Sequence, residues 1–145
     1  MSPLFALHCA TTWALVGLIW TVQLVHYPLF DRVERARFSE FERDHSMRIS
    51  RIAAPLMLFE AVSGAVLVLV APTGLESARL WLSVGLALIV LIWLSTFLLQ
   101  VPRHRELARG FDAEAHGALV RSNWIRTVAW TARGALLAWL ALGTA

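Results

Sequence analysis

Lysine is absent: all 13 cationic side chains of the chain are arginine. Cysteine occurs once, at Cys9, which excludes an intrachain disulfide. Charge is sparse, at 16% of residues, and it falls in two blocks where arginine and acid alternate. No basic stripe for tracking phosphates results, so nucleic acid is excluded as a partner. Neither HExxH nor CxxC spacing is present. No basic stretch precedes the first apolar run, which is also too long for the core of a cleavable signal, so it reads as a retained helix. What the chain has in quantity is apolar side chains. At 58% hydrophobic and a mean hydropathy of +0.62 over 145 residues, it belongs to the membrane class and forms one domain.

Four apolar segments follow in order, at about 4–27, 52–71, 80–101 and 123–142. Each approaches the ~20 residues that cross a hydrocarbon core of ~30 Å. In the first, Trp13, Val16, Trp20, Gln23 and Tyr27 share a face, with His26 beside it. His8 lies near the opposite end, in a half that reads as almost purely apolar. The connection Asp31–Arg51 carries six arginines among acids, with Phe30, Val33, Phe38 and Phe41 at roughly helical spacing. It predicts a short amphipathic helix in the interface plane, ending at His45. The second segment begins with Pro55 in its first turn and holds Glu60 about eight residues in, ~12 Å deep at the helical rise. Pro72–Arg79 reads as a short turn. Trp93, Thr96, Gln100 and His104 form a stripe at the end of the third segment. A second charged connection follows, with Gly110 as a helix stop and His116 as an exposed loop residue.

The two charged connections hold six and four arginines and the middle turn holds one. By the positive-inside rule the connections face the cytoplasm and both termini face out of an inner membrane. The expectation is an all-α, integral membrane, up-down four-helix bundle. Asn123, Arg126, Trp130 and Arg133 then share one face of the last helix. Arginines inside a span turn toward the bundle interior or a wet cavity. Gln23, Gln100, His26, His104, Glu60, Trp20 and Trp93 from the other helices lie in the same half.

Three readings of that meeting place stand side by side. In the first, Glu60 pairs with Arg126 or Arg133, and the amides and hydroxyls tie helices together. In the second, a pocket walled by Trp20, Trp93 and Trp130 holds a hydrophobic small molecule. There Arg126 and Asn123, with Gln23, Gln100 and Arg133, bind its oxygen, and Glu60, His26 and His104 transfer protons. His26, His45, Glu60 and His104 also make a candidate ligand set for Fe, Zn, Mn or Cu. In the third, haem b sits between His26 and His104.

The motifs Tyr27-Pro28-Leu29, Val101-Pro102-x-His104-x-x-Leu107 and Asn123-Trp-Ile-Arg126-Thr-Val-Ala resemble those of the anthrone-oxygenase-like family of small four-helix membrane proteins. In that family a Val-Pro-Leu-Asn type motif and a Trp-Asn-His-Val-Arg-Thr type motif stand at these places. The resemblance spans nearly the whole chain. It implies oxidation of a polycyclic phenolic substrate by O2, with Asn123 and Arg126 at family positions. The sequence departs from the pattern at His104, where asparagine is usual, and in Val-His26-Tyr-Pro and Asp44-His45, which point to a histidine-based branch. The overall expectation is a membrane redox enzyme or oxygenase acting on a hydrophobic substrate. The alternative is a non-enzymatic accessory subunit of a larger membrane complex, and assembly with further copies fits either.

Overall fold

A computed structural model describes residues 2–70 and 78–143. Among these residues every regular element is helical. Helix α1 (Pro3–Arg32) opens with Ser2, whose hydroxyl accepts from the Phe5 amide, and with proline in the first turn. It ends where Val33 and Glu34 turn extended, with ψ of 134° and 129°. Helix α2 covers Phe38–Val70, α3 Arg79–Leu107 and α4 Ala113–Gly143. Gly110, at φ 154°, breaks the path between α3 and α4, as the sequence predicts for a helix stop. Asp112 then caps α4 by accepting from the Ala115 amide. The second segment's last residue, Ala71, and most of the predicted turn, 72–77, lie outside the described residues.

Three of these helices, Pro3–Arg32, Arg35–Val70 and Arg79–Leu107, are long and apolar enough to cross a membrane, which fits a multi-pass membrane protein. The expectation of a fourth span at 123–142 is not met on that criterion. Helix α4 is long enough, but Arg126 and Arg133 on its inward stripe leave it without a spanning-length stretch as apolar as those of the other three.

Two boundaries differ from the sequence reading for one reason: helices run through the charged stretches. Residues 38–51 are not a separate interfacial helix. They are the first turns of α2, which continues through Pro55, so that proline lies inside the helix rather than in its first turn. Phe38, Glu42, Met57, Glu60, Gly64 and Leu67 are all buried along one stripe of this helix. Likewise α4 starts ten residues before Asn123, and His116 is a helical residue whose Nε2 donates to the Tyr27 carbonyl. It is not an exposed loop residue.

Helices α1 and α3 share a device. Each widens into a π-helical turn, Val22–His26 and Thr96–Gln100, followed by one residue and then proline, Pro28 and Pro102. The amides of Tyr27 and Val101 reach back five residues, to Val22 and Thr96. A proline offers no N–H to the carbonyl four residues before it and crowds it, so the wider turn relieves both penalties without breaking the helix.

Helix α1 lies against α2 and α4, and α3 lies against the same two. Contacts fix the depth order. Gln23 meets Asn123, Trp20 meets Thr131, and His8 and Thr12 meet Arg133. The apolar core forms three layers. One, around Tyr27, Phe30, Phe38, Leu107 and Leu119, sits at the end bearing the charged stretches. The middle layer holds Leu15, Ile19, Met57, Ile92 and Trp130. The far layer holds Phe5, Leu67, Leu82, Leu137 and Leu140.

Candidate functional site

The polar side chains inside the bundle separate into a closed network and an open pocket. The network centres on Glu60 and Arg133, each 1% exposed. Arg133 Nε donates to Glu60 Oε1 at 3.1 Å, its Nη1 to the Gly85 carbonyl, and its Nη2 to His8 Nε2 at 2.9 Å and to Thr12. Glu60 also accepts from the Thr12 hydroxyl at 2.8 Å and from the Trp130 indole at 3.0 Å. Ser63 gives its hydroxyl proton to the Phe59 carbonyl, so it accepts from His8 Nδ1–H at 2.7 Å. His8 is therefore the neutral Nδ1–H tautomer, its Nε2 lone pair receiving Arg133. Each group in this network has a partner, and all four helices contribute to it. Two glycines make room. A Cβ on Gly85 would stand 3.2 Å from Arg133 Nη1, and one on Gly64 would press on Ile89 and His8. The adjoining cavity is about 10 Å3, space for about one water.

Arg133 is thus the partner of Glu60, and Arg126 is not. The half read as almost purely apolar contains His8, Thr12 and Ser63 in this network. Glu60 does not line the pocket, so it stands apart from the histidines with which proton transfer and metal binding were expected.

The pocket encloses about 530 Å3. Its deep walls are Leu15, Ile19, Met57, Trp93 and Trp130. Its polar end carries Tyr27, His45, Ser46, Gln100, His104 and Arg126, with Arg43 and Arg105 at the rim. Arg126 has no side-chain hydrogen bond or ion pair among the described residues. Its Nε is buried without a partner, and the guanidinium carbon lies 5.2 Å from the centre of the Trp130 ring. Arg126 and Tyr27 both line the polar end of this cavity.

Beside it runs a chain of three groups from three helices. Glu42 is fully buried and its Oε1 takes His104 Nδ1. Ser46 donates to the same oxygen at 2.8 Å. With Nδ1 carrying the proton toward the carboxylate, His104 Nε2 accepts from the Tyr27 hydroxyl at 3.1 Å. Glu42 Oε2 is left without a partner. The π-helical turns re-aim the segments bearing Tyr27 and His104, each of which lies within two residues of the proline that follows its turn.

Of the residues predicted to form the site, Arg126, Trp93, Trp130, Gln100, His45 and His104 line the pocket. Gln23 and Asn123 do not: the Asn123 amide donates to Gln23 Oε1 at 2.8 Å, and Gln23 donates to the Val120 carbonyl, which closes α1 onto α4. Trp20 also stands apart, donating to Thr131 and meeting Trp124 edge-on. Gln100 bridges Ser95 and Ser122.

Among the described residues no group of three or more His, Cys, Asp or Glu is placed to hold a metal ion. The proposed set of His26, His45, Glu60 and His104 is split, because Glu60 belongs to the buried network. Haem between His26 and His104 meets a similar obstacle. His45 stands against both rings, at 5.6 Å and 6.3 Å between centroids, and both His104 nitrogens are engaged by Glu42 and Tyr27. The residues present do not fit either group.

Tyr27 and Ser46, which line the pocket, and Glu42, buried behind His104, are not among the predicted site members. A signal for Glu42 exists: it stands 18 positions before Glu60, five turns at 3.6 residues each, hence on the same face of an unbroken helix. No family model, curated protein or solved structure matches the chain.

Proposed function

We propose that the protein is an inner-membrane, up-down four-helix bundle that binds a hydrophobic molecule bearing an acidic or carbonyl oxygen and acts on it as an oxidoreductase. The charged ends of the helices face the cytoplasm and both termini face out, following the distribution of arginine. Supporting the binding role is one observation above the others: a guanidinium with no ion-pair partner at the polar end of an apolar cavity. A cation set against an apolar cavity, with its Nε buried and unpartnered, is costly unless something pairs with it. A bound phenolate, enolate or carboxylate supplies that pair, and its apolar body fits between Trp93, Met57 and Trp130. The pocket volume lies within the range of small-molecule sites.

The reaction is assigned by resemblance to the anthrone-oxygenase-like family. In such a reaction a ring methylene becomes a carbonyl, one oxygen atom of O2 entering the product while the other leaves as water with the two hydrogens. The test uses purified protein in detergent under air with anthrone, following O2 uptake and the absorbance of anthraquinone. Turnover above empty micelles is expected, with Arg126→Gln weakening anthrone binding about tenfold or more, the worth of a charge-assisted hydrogen bond. Binding that depends on Arg126 without any turnover would reject the oxygenase assignment. Binding indifferent to Arg126 would reject the pocket.

A second reading rests on the Glu60–Arg133 network, which ties four helices together and offers no free polar atom. It suits a scaffold or accessory subunit. Co-migration with larger partners after gentle solubilisation, with no anthrone binding, favours it.

A further inference from the structure

We infer that Tyr27, His104 and Glu42 form an acid–base relay whose Tyr27 end removes a proton from the pocket's ligand, and that the ligand class is a carbonyl compound with an acidic C–H or O–H next to the conjugated system. This rests on the pocket reading above and adds the chemistry to it. Tyr27 lines the cavity together with Arg126 and donates to His104 Nε2 at 3.1 Å; His104 in turn is held by Glu42. The three residues come from α1, α3 and α2, so the chain exists only in the assembled bundle.

The step balances without any further reactant. The ligand's C–H or O–H bond breaks and its proton joins the Tyr27 oxygen. The Tyr27 proton passes to His104 Nε2. The electron pair left on the ligand delocalises onto its carbonyl oxygen, opposite Arg126. Two unpaired charges become two pairs: enolate with guanidinium, and imidazolium with the Glu42 carboxylate. Before the step a neutral imidazole lies between the Tyr27 hydroxyl and the Glu42 carboxylate, with Arg126 Nε unpartnered and one Glu42 oxygen free. The groups around His104 are arranged for this outcome. Glu42 and Ser46 come from α2 together with His45, whose ring stacks at 6.3 Å; Tyr27 comes from α1, with His26 beyond His45; Arg105 lies on α3 itself and Arg126 on α4. The carboxylate is the one anion among them, and it takes the ring nitrogen opposite the one that receives the proton. Reversal returns the proton to the ligand, so the relay also serves exchange.

The assay is deuterium incorporation into 2-tetralone, a lipophilic ketone with acidic C–H bonds, in D2O with the full chain in detergent micelles. Mass spectrometry reads the exchange, and quenching of tryptophan fluorescence reads tetralone binding. Exchange faster than in empty micelles is expected. Tyr27→Phe keeps the ring and its packing, and is expected to lower the maximal exchange rate about a hundredfold, as for loss of a positioned acid–base group, with binding unchanged. His104→Gln and Glu42→Gln are expected to do likewise. Wild-type exchange no faster than in Tyr27→Phe, with tetralone bound in an Arg126-dependent way, overturns the relay and leaves the pocket standing. Tetralone binding that is unaffected by Arg126→Gln overturns the pocket reading instead.

Discussion

Two arginines seven positions apart on α4 have opposite surroundings, and that contrast is testable. Arg133 is fully paired. Glu60→Gln would leave its guanidinium buried without a counter-charge, at a cost of about 3–5 kcal/mol. The expected result is a large fall in the midpoint of thermal unfolding in detergent, and an unchanged midpoint would dismiss the ion pair as a tie. Trp130→Phe removes one donor to Glu60 Oε2 while keeping an aromatic wall, and is expected to cost about 1–3 kcal/mol. Arg126 has no side-chain partner to lose, so Arg126→Gln is expected to leave the midpoint unchanged or raised while ligand binding falls. A marked loss of stability in that variant would make Arg126 structural.

At the scale of elements, the close approach of α1 and α3 to α2 rests on Gly64. A Cβ there would come within 2.8 Å of the Ile89 side chain and 3.3 Å of the His8 ring. Gly64→Ala is therefore expected to destabilise by about 1–3 kcal/mol through overpacking, visible as a lower unfolding midpoint. Such a cost is not legible in the sequence, where small residues near 64 indicate only that helices can approach. The π-helical turns show the same limit. The residues before Pro28 and Pro102 look in sequence like helix ends. In the fold the helices widen instead, because neighbouring helices hold both sides of the bend. Charge and proline therefore predict ends for α1 and α3 that are too early and starts for α2 and α4 that are too late. Charge on a helix that extends past the apolar layer marks only the level at which water begins.

For the whole molecule, the distribution of arginine predicts sidedness. With Cys9 replaced by serine, Arg109→Cys is expected to react with an impermeant maleimide only when the cytoplasmic face of the membrane is open to it. Gly143→Cys is expected to react from the outer face. Labelling of both positions from one side would overturn the up-down topology proposed for the four helices.

The sequence alone determined the class: long apolar runs demand satisfied backbone, and in lipid a helix provides it. It also determined that α4 turns Arg126, Trp130 and Arg133 inward, because 3.6-residue periodicity puts them on one stripe and lipid rejects guanidinium. Which polar groups meet was decided by tertiary structure. Glu60 chose Arg133 over Arg126 because α1 brings Thr12 and His8 to that level and Gly85 opens a carbonyl there. The chain of Tyr27, His104 and Glu42 joins residues 27, 42 and 104, and a contact between distant positions depends on the rotation and depth of three packed helices. Periodicity fixes the face a residue takes on its own helix, but not the neighbour it finds there.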